Sequence, residues 1–287
     1  MRDRLILLPG WGLGISPMEP LAAALQGLDE HLRVEIEPLP ELDSADLEDW
    51  LDELDARIPQ EVWLGGWSLG GMLASELAAQ RGERCCGLLT LASNPSFVAH
   101  EQWPSAMPGE TFDAFLAGCQ ADPRLTLKRF SLLCAQGAQD PRGMSRLLLG
   151  GAPNVAPETL MAGLELLAQL DTREALQAYR RSITDDGAIA IHITNRFVDL
   201  QPVLAALARD AGMEAALRVD SPDAGSGLAT SSWVVLTPKA GTLAALKQAS
   251  GATEWRALGQ PASTVWSDQY ASTLPRFRWN TLIGIQP

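Results

Sequence analysis

The hydrophobic positions of the first hundred residues follow two periods in turn. Leu5 to Leu8 form a short apolar run that stops at Pro9-Gly10, Leu32 to Glu37 alternates apolar and polar side chains until Pro38, and Val62 to Gly65 and Gly87 to Ala92 are two further apolar runs. These read as strands. Between them, Met18 to Leu25 and Leu69 to Ala79 read as helices, and Ser44 to Ile58 sets Leu47, Trp50, Leu51 and Leu54 three and four residues apart. The acids of that last segment form the wet side of an amphipathic helix. Alternation of strand and helix predicts a parallel sheet covered by helices.

From Glu101 the period becomes helical throughout, to about Tyr179. Phe112 to Cys119, Leu125 to Ala135, Met144 to Leu149 and Pro157 to Leu170 carry it, with breaks at Gly137-Ala138, Gly150-Gly151 and Pro153. Strand signals resume at Gly187 to Ile193, followed by a helix from Gln201 to Ala211, strands at Ala215 to Val219 and Ser232 to Leu236, and a helix from Leu243 to Gln248. The domain organisation expected is an α/β core over 1–100, a helical segment over 101–178 and a second α/β segment over 179–287.

Composition narrows the class. With 46% apolar residues in 287, the chain can bury one large core or two modest ones. Four apolar residues behind Met1-Arg2-Asp3-Arg4 are too few for a signal-peptide core or a membrane span, so a cytoplasmic location is expected. Cys85, Cys86, Cys119 and Cys134 show no metal-ligand spacing and read as reduced core residues. A net charge of −13 argues against nucleic acid and anionic membranes as partners. No cofactor and no metal site is expected, and the chain is expected to be monomeric.

The chemistry centres on Gly66-Trp67-Ser68-Leu69-Gly70, directly after the apolar run Val62-Trp63-Leu64. A serine on a sharp strand-to-helix turn needs glycines beside it, and its hydroxyl then projects over the sheet edge as a nucleophile. Such a serine needs a base, and the chain holds three histidines: His31, His100 and His192. His31 precedes a strand at the opposite end and reads as a surface residue.

Several pieces together resemble the pimeloyl-acyl-carrier-protein methyl ester esterases of biotin synthesis over residues 4–177. They are Leu7-Leu8-Pro9-Gly10-Trp11-Gly12, the Ser68 elbow with Gly71, Leu91 to Phe97 with Glu101-Gln102-Trp103-Pro104, Lys128-Arg129-Phe130, and Gly163-Leu164-Glu165 running on to Leu170-Asp171. The resemblance implies an α/β-hydrolase in which residues 101–178 form a lid. It implies Ser68 as nucleophile and the backbone N–H groups of Leu69 and Trp11 as the oxyanion hole. It also implies an acyl pocket lined by Trp11, Leu69, Phe130, Ser131, Leu132, Leu133 and Cys134, and Arg124, Arg129, Arg142 and Arg146 near positions that contact an acidic acyl-carrier protein. A solvated helix face is the plain alternative for these arginines.

The sequence departs from that family in two places. Pro9-Gly10 stands where His-Gly usually precedes the oxyanion tryptophan, and no histidine follows position 192, where the family's base belongs. Instead, residues 170–283 resemble the C-terminal part of spermidine-synthase-like proteins, through Asp186-Gly187 to Leu200, Ser231 to Leu236, and Trp266 to Trp279. This implies a Rossmann-like α/β segment, without the glycine-rich cofactor loop that such transferases carry in their N-terminal half. Asp199 falls about where the acid of a hydrolase triad belongs, or caps the helix that follows it. His192, a strand histidine by resemblance, and His100, at the start of the lid, are the candidate bases. Three readings stay open: a serine carboxylesterase for the methyl ester of a carrier-bound acyl chain, an inactive chimera that binds acyl chains or carrier protein, and a polyamine-synthase-like transferase fragment.

Overall fold

Strands β1 (Asp3–Leu8), β2 (Leu32–Ile36), β3 (Val62–Trp67) and β4 (Cys85–Leu91) pair in parallel in the order β2-β1-β3-β4. The computed structural model describes residues 3–93, 95–101, 106–136, 138, 140–175, 187–193, 200–221, 230–249 and 255–261, and the chain divides into two units, Met1–Ser182 and Ile183–Pro287.

Alternation along β1 sends its side chains to two cores. Leu5 and Leu7 join Met18, Val34 and the inner side of α1 (Glu19–Leu28), while Ile6 and Leu8 join Leu64 with α2 (Leu47–Arg57) and α3 (Leu69–Arg81). Both faces of the sheet are therefore covered, which is why β1, β3 and β4 are apolar runs, while β2 at the sheet edge alternates. Trp63, inside the apolar run of β3, is 43% exposed. It pairs in register with Gly87, whose missing side chain leaves the indole resting on bare backbone near the end of β4.

At the far end of α3, Arg81 is buried and makes four bonds. Its Nε donates to Asp55 Oδ1 at 2.7 Å, Nη1 to the Pro59 carbonyl at 2.8 Å, and Nη2 to the Ile58 and Asp55 carbonyls at 2.7 and 3.5 Å. A charge there is tolerated because every guanidinium edge finds an acceptor. Burial alone would raise Asp55, but bonds from Arg81 and Gln60 outweigh it and hold its carboxyl below the usual value.

The helical segment consists of α4 (Gly109–Ala121), α5 (Pro123–Cys134), α6 (Pro141–Gly150) and α7 (Pro157–Gln169). Asp122 and Asp140 cap α5 and α6 by accepting from the Leu125 and Gly143 amides, each at 2.9 Å, and a proline fills the first helical position behind each. The segment leaves and rejoins the core at one neck. Ser96 bridges antiparallel to Asp171, and the Thr172 amide donates to the Pro95 carbonyl at 2.8 Å.

The second unit contains β5 (Ile189–His192), α8 (Gln201–Asp210), β6 (Glu214–Asp220), β7 (Ser231–Thr237), α9 (Ala240–Ala249) and β8 (Trp255–Arg256). Its strands lie in the order β5-β7-β6-β8, and each described pairing is antiparallel. The α/β alternation holds, with β5 and β6 running the same way and β7 reversed between them. Leu217 and Val234 pack with Leu204 of α8 on one face, and Ala216 and Val235 pack with Leu243 of α9 on the other.

Candidate active site

Ser68 lies between the last residue of β3 and the first of α3 with φ 54° and ψ −120°. A non-glycine side chain in that region carries strain of about 1–3 kcal/mol, which the surroundings must impose. They do so by close backbone approach. A Cβ on Gly66 would collide with the backbone of Gly70 and Gly71, and one on Gly70 with the carbonyl oxygens of Leu8 and Pro9. The turn is then tied to β4: the Ser68 amide donates to the Leu91 carbonyl at 2.9 Å, and the Ser93 hydroxyl donates to the Ser68 carbonyl at 2.8 Å. Ala92, between those two partners, also has a positive φ of 47°.

Leu69 is the first residue of α3, so its N–H has no partner within the helix. Trp11 sits on the loop after β1, 3% exposed, with its indole Nε1 donating to the Leu160 carbonyl of α7 at 2.8 Å. Phe115 of α4 and Phe130 of α5 meet its ring edge-on at 5.7 and 5.4 Å between centroids. The helical segment thus packs directly on the loop that carries Trp11.

Only part of the run from Phe130 to Cys134 turns the same way. Phe130 meets Trp11, but the Ser131 hydroxyl is buried and shares a 2.7 Å hydrogen bond with Ser145 of α6. Leu132, Leu133 and Cys134 are exposed. Five consecutive helical residues span more than a full turn and cannot all face one pocket. Of the four cysteines, Cys85 and Cys119 are buried as expected, whereas Cys86 and Cys134 are exposed, and all four are free.

The outer surface of α5 and α6 is basic. Arg124, Lys128, Arg129, Arg142 and Arg146 are exposed there with two acids, the caps Asp122 and Asp140, in a chain of net charge −13. Leu132, Leu133, Met144 and Leu147 are exposed among them, Leu147 at 71%.

The histidines separate. His31 is exposed beside Glu30. His192 belongs to β5 of the second unit, and Asp199 lies outside the described residues. His100 lies beyond the neck, with its Nε2 3.5 Å from Asp171 Oδ2. Arg173 grips the same carboxylate, Nε to Oδ1 at 2.7 Å and Nη2 to Oδ2 at 2.5 Å, and this bonding holds Asp171 below the usual carboxylate range. Among the described residues, no side chain is hydrogen-bonded to the Ser68 hydroxyl. Sequence reading missed Asp171, although the Asp171-Thr172-Arg173 spacing that pairs acid with base is a local signal. It also missed Glu76 on α3, whose carboxyl is pushed up to about 7 by burial and by the charges of Asp171 and Glu174.

A strained serine between close-packed glycines, at the carboxyl end of a parallel sheet and the start of a helix, defines an α/β-hydrolase. The solved structure of an esterase from Exiguobacterium antarcticum shares this fold with a TM-score of 0.51 at 18% identity, over 61% of this chain and 69% of that one. The pimeloyl-[acyl-carrier protein] methyl ester esterase of Vibrio cholerae is 34% identical over 183 residues, which are 60% of this chain and 70% of that protein. The biotin biosynthesis bifunctional protein of Cellvibrio japonicus is 34% identical over 181 residues, 61% of this chain but 36% of that longer protein. No protein-family model matches the chain. The chain belongs to the pimeloyl-[acyl-carrier protein] methyl ester esterase family, and so to the carboxylic ester hydrolases, the likeness residing in the N-terminal part of the chain.

Proposed function

We propose that this protein hydrolyses the methyl ester of an acyl chain carried on an acidic acyl-carrier protein, with Ser68 as nucleophile. The observation that carries the reading is the strained backbone of Ser68, held by Gly66, Gly70 and the Ser93 bond at the head of α3. Ser68 Oγ attacks the ester carbonyl, and its proton passes to a general base. The N–H groups of Leu69 and Trp11 hold the oxyanion, methanol leaves with the proton, and water then releases the acid from the acyl-enzyme. The exposed arginines Arg124, Arg129, Arg142 and Arg146 receive the carrier protein by charge complementarity.

For the base, we assign His100, with Asp171 as the carboxylate that orients it. The 3.5 Å contact between them supports this choice, as does the course of the chain, which reaches His100 from the Ser93 bond to the Ser68 carbonyl. Catalytic hydrogen bonds often tighten only when substrate binds. That no described side chain bonds the Ser68 hydroxyl favours a second reading, in which the protein binds carrier or acyl chain without turnover. A fluorophosphonate probe separates them. Stoichiometric labelling that is lost in Ser68→Ala and in His100→Ala but kept in His192→Ala is the expected result. Absence of labelling in the wild-type chain overturns the esterase reading, and full labelling of His100→Ala overturns the assigned base.

A further inference from the structure

An open cleft with a cavity volume of about 90 Å³ lies at the carboxyl ends of β1 and β2, beside the Trp11 loop, and neither Ser68 nor Leu69 lines it. The walls are Pro9 and Trp11 of that loop, Leu39 beyond β2, Trp50 of α2, and Val155 and Leu160 at the start of α7. Gly163 completes the floor, since a Cβ there would press on the rings of Trp11 and Trp50.

The polar groups of these walls are mostly committed elsewhere. The Trp11 indole N–H bonds the Leu160 carbonyl at 2.8 Å and the Trp50 indole N–H bonds the Ser44 carbonyl at 2.7 Å, so both rings offer the cavity hydrocarbon. Arg57, the nearest cation to the Pro38 edge, is bonded to the Pro38 carbonyl at 2.5 Å and to Glu37 at 2.9 Å. Two polar groups remain at the rim. The Thr159 hydroxyl has no hydrogen-bond partner, and the Glu41 carboxylate no ion pair, among the described residues.

We propose that this cavity binds a linear aliphatic amine, its chain along the Trp11, Trp50 and Leu39 walls and its ammonium between Glu41 and Thr159. Apolar walls supply the affinity and the rim selects the sign of the head group. A carboxylate-ended chain meets Glu41 and the field of a chain at −13, and is disfavoured. The occupant also touches the Pro9-Gly10-Trp11 backbone, so it braces the loop beside the nucleophile without entering the site that Ser68 serves.

The test uses the full-length Ser68→Ala chain, titrated by calorimetry with n-octylamine, 1-octanol and octanoate. Octylamine is expected to bind with one-to-one stoichiometry, tighter than octanol by roughly two- to fivefold, the worth of one exposed ion pair, with octanoate weakest. Glu41→Gln should erase the difference between amine and alcohol. Filling the cavity by Thr159→Phe should cost about tenfold or more, the loss of about two buried methylenes. Val155→Phe serves as the second filling variant should the first not fold by circular dichroism. Equal octylamine affinity in a folded filling variant, or octanoate binding as tightly as the amine, overturns the proposal, as does the absence of binding by octylamine.

Discussion

Glu76→Gln tests the electrostatics behind the elbow. Glu76 lies on α3, partly buried, with Asp171 and Glu174 as charged neighbours. Its carboxyl titrates at about 7 instead of 4.5. Below pH 4.5 the group is protonated in both folded and unfolded chains and costs nothing. Between 4.5 and about 7 the unfolded chain gives up the proton while the folded one keeps it, so stability falls as pH rises, and above about 7 the loss is complete. At about 1.4 kcal/mol per pKa unit, the gap sets an upper bound of about 3 kcal/mol, which partial solvation lowers to about 1–2 kcal/mol. Glutamine removes the ionisation at nearly constant volume. In urea unfolding followed by tryptophan fluorescence, the variant's midpoint at pH 8 should exceed the wild type's by about 0.5–1 M. The difference should close by pH 4, and the second unit, identical in both chains, drops out of the comparison. Equal midpoints at pH 8, or a difference that widens on acidification, would refute the reasoning.

Two other perturbations probe the scaffold and the basic surface. Arg81→Met leaves the Pro59 and Ile58 carbonyls without their donor and takes the guanidinium from the Asp55 carboxylate, and should destabilise the first unit by about 3 kcal/mol or more, read from the same urea curves. Reversing two exposed charges in the double variant Arg129→Glu, Arg146→Glu should weaken binding of an acidic acyl-carrier protein by about tenfold at low salt, measured by calorimetry. Raising the ionic strength should shrink that difference.

The strands and helices of the first unit were legible because their periods are clean, but their ends were not always. Leu125 and Met144 mark where apolar spacing begins in α5 and α6, yet those helices start two or three residues earlier, at Pro123 and Pro141 behind Asp caps. Cap chemistry, not hydrophobicity, sets that boundary. Trp63 shows the reverse error: an aromatic in an apolar run reads as core, and only its register with Gly87 reveals why it lies open. Ser68 was plain from its flanking glycines, because the close approach that demands them is local. The His100 contact with Asp171 was not, since the whole helical segment separates the two residues in sequence and only the neck brings them together. The reversed β7 was likewise beyond sequence, since strand direction depends on connections that apolar spacing does not encode.

The neck has a meaning for how such proteins can change. Because Pro95 and Thr172 are hydrogen-bonded neighbours, everything between them is a cassette with adjacent ends. A graft that keeps the Ser96 and Asp171 bridge and an aromatic surface for Trp11 can exchange α4 to α7 for a relative's helices while leaving the sheet and the Ser68 turn as they are. The helical segment and the sheet are in that sense separately replaceable parts of one polypeptide.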